Sequence, residues 1–128
     1  TMGQVEVAIW DLLGKTLRQP CAAVIGPVLH RSIPIYMSSN KRDTSPEVEI
    51  AHLQERVAET GARCVKVKIG RRMGYNTDMQ PGRSAAVIAA LRKAFGDAMT
   101  IYADANGAYD LPMGLEIAAM LEQVPAQP

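Results

Sequence analysis

Two lysines one residue apart carry the first chemical signal. In VKVKIG, residues 65–70, Lys66 and Lys68 alternate with Val65, Val67 and Ile69. A strand turns successive side chains to opposite faces, so the three apolar residues share one face and both lysines the other. Residues two apart on a strand stand roughly 6–7 Å apart at the backbone. At an effective dielectric near 20, two unit charges about 7 Å apart repel by roughly 2 kcal/mol. That repulsion favours a neutral amine on one of the pair, and a neutral lysine is a base near neutral pH. Lys68 lies nearer the C-terminal end of the strand and is assigned the proton transfer. Lys66 would tune it and bind an anionic substrate group. The competing reading is an edge strand guarded by lysines, which helical connections on both sides argue against.

The second signal is ADANG, residues 103–107. Asp104 and Asn106 are two apart at a strand end, one step before Gly107 permits a sharp turn. A carboxylate pointing into the rim of a parallel sheet is a natural Mg²⁺ ligand. The alternative is a loop-starting Asx turn. The remaining polar residues are plainer. His52 falls in a helix and His30 in a connector, both read as surface or packing residues. Arg71 and Arg72 open a loop and are either solvated or in contact with substrate. There is no glycine-rich phosphate loop after a strand and no nucleophile–base pair.

These residues need elements to position them. Val5, Ala8, Ile9, Leu12 and Leu13 fall at helical spacing and predict an amphipathic helix over 2–17. Pro20 opens a short helical turn that Gly26-Pro27 closes. SIPIYMSS, residues 32–39, reads as a short strand with Pro34 near its start. Ser45 or Thr44 caps the next helix, with Pro46 in its first turn and Glu47 and Glu49 at the positive dipole end. Ile50, Leu53 and Val57 form its inner stripe, and Gly61 sits just past its end. A strand over 64–69 follows, then a long Gly/Asn/Asp/Pro-rich loop of the kind that is often functional. Ile88, Leu91 and Phe95 mark a helix ended by Gly96. MTIYADANGAYD is a strand running into a loop, and Asp110 and Pro112 start a last helix carrying Ile117, Leu121 and Val124. From Ile33 onward strands and helices alternate, which predicts a parallel sheet with helices packed outside it. The C-terminal strand ends then share one rim, where chemistry sits in α/β folds.

Composition narrows the class. The 128 residues, 48% hydrophobic and 21% charged, suit one globular domain or a piece of one. A formal net charge of +1 gives no electrostatic case for nucleic acid or an anionic membrane. No apolar run is long enough for a membrane helix, and no signal peptide is evident. Cys21 and Cys64 have no metal-like spacing, and Cys64 reads as a small buried residue. A reducing, cytoplasmic setting is the expectation.

Taken together, the residues resemble a known family. VEVAIWDLLGK with the later P and AVIG is similar to the end of the capping domain in the mandelate racemase/muconate lactonizing enzyme branch of the enolase superfamily. VKVKIG resembles that branch's K-x-K strand, and IYADANGAYD its D-x-N strand end. Order and spacing agree over nearly the whole chain. Pro27 stands where a second glycine is expected, and the loop after Lys68 is long for the family. The resemblance implies a capping domain, here residues 1–30, and a modified (β/α)8 barrel, here its first three βα units over 31–128. It implies Mg²⁺ as cofactor, Lys68 as base with Lys66 beside it, Asp104 as first metal ligand and Asn106 as a substrate contact. The chemistry implied is removal of the α-proton of a carboxylate substrate, a hydroxy acid or sugar acid, to a metal-stabilised enediolate. Acid-sugar dehydration is the first choice, with racemisation or cycloisomerisation as alternatives. A homo-oligomeric full-length parent is also expected.

The family needs further carboxylate ligands on later strands. After Asp104 the acidic residues are Asp110, Glu116 and Glu122, all on the following loop and helix. A whole barrel takes about 250 residues. The chain is therefore expected to be a fragment of a longer enzyme, inactive and prone to self-association alone. Two other readings compete. One is a non-catalytic α/β unit that assembles with partners. The other has the lysine pair binding phosphate, which would need backbone donors at a helix start.

Overall fold

The computed structural model describes residues 2–124. They fall into two compact units on either side of the Ile33–Pro34 junction. The first unit holds α1 (Met2–Leu17) and the one-turn α2 (Cys21–Ile25). α1 has the predicted span, but within this unit its apolar stripe is exposed, Val5, Ile9 and Leu12 included, and only Gly14 is buried. α2 starts after Pro20, as expected, and ends at Gly26. The Cys21 thiol donates to the Trp10 carbonyl at 3.4 Å and links the two helices.

The second unit alternates strand and helix: β1 (Met37–Ser38), α3 (Pro46–Thr60), β2 (Cys64–Lys68), α4 (Arg83–Phe95), β3 (Thr100–Asp104) and α5 (Leu111–Glu122). The three strands form a parallel sheet in the order β1-β2-β3. β2 is thus the central strand, and the guarded-edge reading of its lysines fails. Lys68 stands in register with Asp104, and Lys66 with Tyr102 on one side and Ser38 on the other.

The two faces of the sheet divide as the alternation of β2 requires. Val65 and Val67 are fully buried and Ile69 nearly so. They form the core with Leu53 of α3 and Val87, Ile88 and Leu91 of α4, with Ile101 and Ala103 of β3 packed around it. Each such Val or Leu contributes about 1.5–3 kcal/mol by leaving water. α3 and α4 therefore cover the same face. The opposite face carries Lys66, Lys68, Tyr102 and Asp104, with Tyr36 and Tyr102 in edge-to-face contact at 6.0 Å and Lys66 at 6.0 Å from the Tyr36 ring.

Several local expectations are corrected. The strand predicted over 32–39 pairs only at Met37–Ser38, with one further rung from the Ser39 N–H to the Lys66 carbonyl at 2.9 Å. Pro34, which has no N–H to donate, lies in the stretch left outside the ladder. Ser45 holds the N-cap position of α3, yet its side chain makes no cap bond to a backbone N–H. The Thr44 hydroxyl donates instead to Glu49 Oε2 at 2.8 Å; Glu47 and Glu49 lie in the first turn of α3 as expected, Glu49 buried there. α5 starts as predicted, its Met113 N–H bonded to Asp110 Oδ1 at 3.0 Å, and Val124 lies just beyond its end while still packing on the core.

Candidate active site

Lys68 and Asp104 are the last residues of β2 and β3, so strand register alone places them side by side at the C-terminal rim. Their side chains meet: Lys68 Nζ donates to Asp104 Oδ2 at 2.6 Å. Lys66 Nζ reaches the same oxygen at 3.0 Å from one layer below. The lysine side chains are 16% and 13% exposed and the Asp104 side chain 29%. The sequence reading treated the lysines as a bare cationic pair. The carboxylate they share opposes that repulsion, because both ammonium groups lie within hydrogen-bond distance of the same anionic oxygen. Asp104 responds most: hydrogen bonds from Lys68 and then Lys66 outweigh burial and hold its carboxyl down at about 2.

Asn106 reaches the site by a different route from the one expected. The strand ends at Asp104, so alternation no longer applies. Asn106 (φ +53°) and Gly107 (φ +74°) both take left-handed backbone, and the Ala108 N–H closes the turn on the Ala105 carbonyl at 3.0 Å. Asparagine and glycine are the residues that accept this pair of conformations. The turn brings Asn106 to the wall of a cavity of about 780 Å³ that Lys68, Lys41, Arg42, Arg72 and Met73 also line. Arg72 is thus at the cavity, whereas Arg71 stacks on Tyr75 at 4.5 Å. His30 is exposed. His52, also exposed, borders a separate cavity beside Glu49, whose buried Oε1 has no partner among the described residues.

The long loop after β2 is tied to the loop after β3. Gly74 and Asn76 N–H groups donate to the Gly107 and Ala108 carbonyls at 3.2 and 2.8 Å. The Asn76 amide and Asp110 exchange two further bonds, each 2.9 Å. The base of the loop is fixed by a polar cluster that sequence reading missed. Asp78 accepts from the Ser84 hydroxyl, from the Ser84 N–H at 2.9 Å and from the Tyr109 hydroxyl at 2.8 Å. Ser84 Oγ in turn accepts the Gly70 N–H at 3.0 Å. Burial raises the Asp78 carboxyl, but these hydrogen bonds outweigh it and leave it lowered overall. Burial pushes the Tyr109 phenol up to about 12.

Two arginines were also missed. Arg83 Nε donates to the Thr44 carbonyl at 2.7 Å and its Nη1 to the Lys68 carbonyl at 3.2 Å. Arg42 donates to the carbonyls of Ile69, Gly70 and Ala105. A signal for Arg83 existed: a cation in the first turn of a helix opposes the helix dipole and needs a compensating partner. Arg42, in a polar linker, left none.

Among the described residues, no three His, Cys, Asp or Glu side chains gather as a metal cage. Asp104, at the C-terminal end of β3, offers the hard carboxylate oxygen that Mg²⁺ prefers. The residues fit one side of a Mg²⁺ site. No described helix is long and apolar enough to cross a membrane.

Comparison with known proteins follows the same lines. The family model described as "Enolase C-terminal domain-like" matches residues 49–126. D-galactarolactone cycloisomerase of Agrobacterium fabrum is 32% identical over 108 residues, covering 82% of this chain and 26% of that protein. Arabinonate dehydratase of Saccharolobus solfataricus is 26% identical over 121 residues, 94% of this chain and 30% of that protein. A magnesium complex of a mandelate racemase/muconate lactonizing protein from Paracoccus denitrificans superposes with a TM-score of 0.76 at 26% identity, covering 94% of this chain and 32% of that one. The chain thus spans about a quarter to a third of the length of these relatives. With more than half of its residues matched by the family model, the chain belongs to the enolase superfamily, in the mandelate racemase/muconate lactonizing enzyme branch.

Proposed function

We propose that this chain is a segment of a longer Mg²⁺-dependent enzyme, most simply an acid-sugar dehydratase. Residues 1–30 would be the end of its capping domain and 31–128 the first three βα units of its (β/α)8 barrel. One observation carries the reading: two lysines and one carboxylate converge at 2.6 and 3.0 Å on the C-terminal rim of a parallel sheet.

The roles follow from position. Lys68, at the cavity wall, removes the α-proton of a substrate carboxylate. Lys66, held against Asp104 below it, keeps positive charge beside the anion that forms. Asp104, ionised down to about pH 2, supplies one ligand to Mg²⁺, and Asn106 donates a hydrogen bond to the substrate. Mg²⁺, when bound, supplies the Lewis-acid charge that acidifies a proton next to a carboxylate. The group that protonates the departing hydroxyl would come from residues outside this chain. The arabinonate dehydratase relative favours dehydration. The cycloisomerase relative carries a second reading, in which the same proton abstraction serves isomerisation.

The test is a screen of the full-length enzyme with Mg²⁺ against aldonic and aldaric acids and their lactones, with trapping of the 2-keto product. Dehydration of one class, lost in Lys68→Met, is the expected result. Isomerised lactone without keto acid would select the second reading. Absence of any turnover across the panel would favour a non-catalytic α/β unit.

A further inference from the structure

We infer that Arg42 is a positioning residue that sets the distance between the ends of the two strands carrying Lys68 and Asp104. This rests on the functional reading above, but its geometry is separate. The last rung between β2 and β3 is the Ile69 N–H donating to the Asp104 carbonyl at 3.1 Å. Past it both chains turn away, Gly70 at φ +66° and Asn106 at φ +53°. The carbonyls just beyond the rung therefore leave the sheet ladder. Arg42 donates to three of them, of which the Ala105 carbonyl also accepts the Ala108 N–H at 3.0 Å. Its Nη1 bonds the Ile69 carbonyl and, at 2.9 Å, the Gly70 carbonyl, both after β2. Its Nη2 bonds the Ala105 carbonyl, after β3, at 3.4 Å.

One planar guanidinium thus grips the residue after Lys68 and the residue after Asp104. A lysine in its place is a single point of charge and cannot hold two strands in a fixed fork. Arg42 is half-buried on the connection between β1 and α3, so the third strand-end loop is drawn to the same point. Arg92 provides an internal control. It also grips two carbonyls, Gly96 at 2.8 Å and Met99 at 2.9 Å, but at the far end of β3.

The experiment compares Arg42→Ala, Arg42→Lys, Arg92→Ala and Asp104→Asn in the full-length protein. Two quantities are read: amide hydrogen exchange of Ile69 relative to Val65 and Val67, and affinity for Mg²⁺ alone by calorimetry. Loss of hydrogen bonds from a charged donor should speed Ile69 exchange about tenfold or more in Arg42→Ala, with mid-strand amides unmoved. Mg²⁺ affinity should fall several-fold with it. Arg42→Lys should fail to restore either, and Arg92→Ala should move neither. Should Arg42→Ala not fold, Arg42→Lys carries the test, since it keeps the charge and most of the volume. Ile69 exchange within twofold of wild type in Arg42→Lys, or an equal effect of Arg92→Ala, would overturn the assignment. Asp104→Asn separates this from the metal reading: unchanged Mg²⁺ affinity there defeats the metal role of Asp104 and leaves Arg42 to be decided by the exchange rates.

Discussion

Gly70→Ala should be the most damaging single-methyl change at the site. Gly70 has φ +66°, and a Cβ built on it would lie 2.7 Å from Ala108 Cβ, 2.8 Å from Tyr109 Cζ and 2.9 Å from Tyr109 Oη. Carbon atoms in contact sit about 3.5–4.0 Å apart, so the overlap is near 1 Å. Neither neighbour yields cheaply. Ala108 is buried, and the Tyr109 hydroxyl is bonded to Asp78 and Ser84. Left-handed backbone in a residue with a Cβ costs about 1–2 kcal/mol, and overpacking about 1–3 kcal/mol more. The sum, about 2–5 kcal/mol, can be divided experimentally. Gly74 has φ +80° with nothing within 4 Å of its built Cβ, so Gly74→Ala should show the backbone cost alone. Urea unfolding of both variants of the full-length enzyme, followed by circular dichroism, would measure the difference. If the two variants cost the same within about 0.5 kcal/mol, the close approach of the β2 and β3 loops is refuted. Because Gly70 is two residues from Lys68, Gly70→Ala should also lower kcat, and Gly74→Ala much less.

Other consequences are testable. The Asp104 carboxyl is lowered from 3.8 to about 2 in the folded chain. A depressed carboxyl adds stability that is present above the unfolded value and lost as pH falls through the folded one, so its contribution should fade between about pH 4 and pH 2. Discounted for partial exposure, that contribution is about 1–2 kcal/mol, and Asp104→Asn should flatten the acid limb of the stability curve. Asp78 is lowered too, so its stabilisation follows the same sign; Ser84→Ala should cost about 1–3 kcal/mol by leaving buried partners unpaired and should raise proteolysis in the loop over 71–82. The isolated 128-residue chain, with Leu111, Leu115, Ile33 and Ile35 exposed and with β1 and β3 each paired on one side, should self-associate; sedimentation velocity showing a clean monomer would count against this.

Much of the architecture was legible because its signals are local. The alternation in VKVKIG fixed which β2 side chains meet the helices, and Pro46, Asp110 and Pro112 marked helix starts that the fold honours. The convergence of Lys66, Lys68 and Asp104 was only half legible. Each residue could be placed at a rim, but their shared oxygen depends on β2–β3 register, a pairing across 36 residues that no local pattern encodes. That is why the lysines read as a bare pair. Asn106 reads from the sequence as sharing a strand face with Asp104, whereas a turn past the strand end carries it to the cavity wall. Arg42 was invisible because its partners are backbone carbonyls, and Tyr109 because its partners Asp78 and Ser84 lie 31 and 25 residues away. The first strand was overread because β-branched and aromatic residues flank Pro34, while pairing depends on a neighbour that reaches only Met37 and Ser38.

The most direct test of the central claim is solvent exchange at the substrate α-carbon. The full-length enzyme with Mg²⁺ would be incubated in D₂O with the sugar acid found in the screen, and the α-proton signal followed by NMR. The account predicts deuterium incorporation or turnover in the wild type, loss of both in Lys68→Met, and recovery of neither by added Mg²⁺. Exchange that persists at the wild-type rate in Lys68→Met would contradict it and place the base elsewhere.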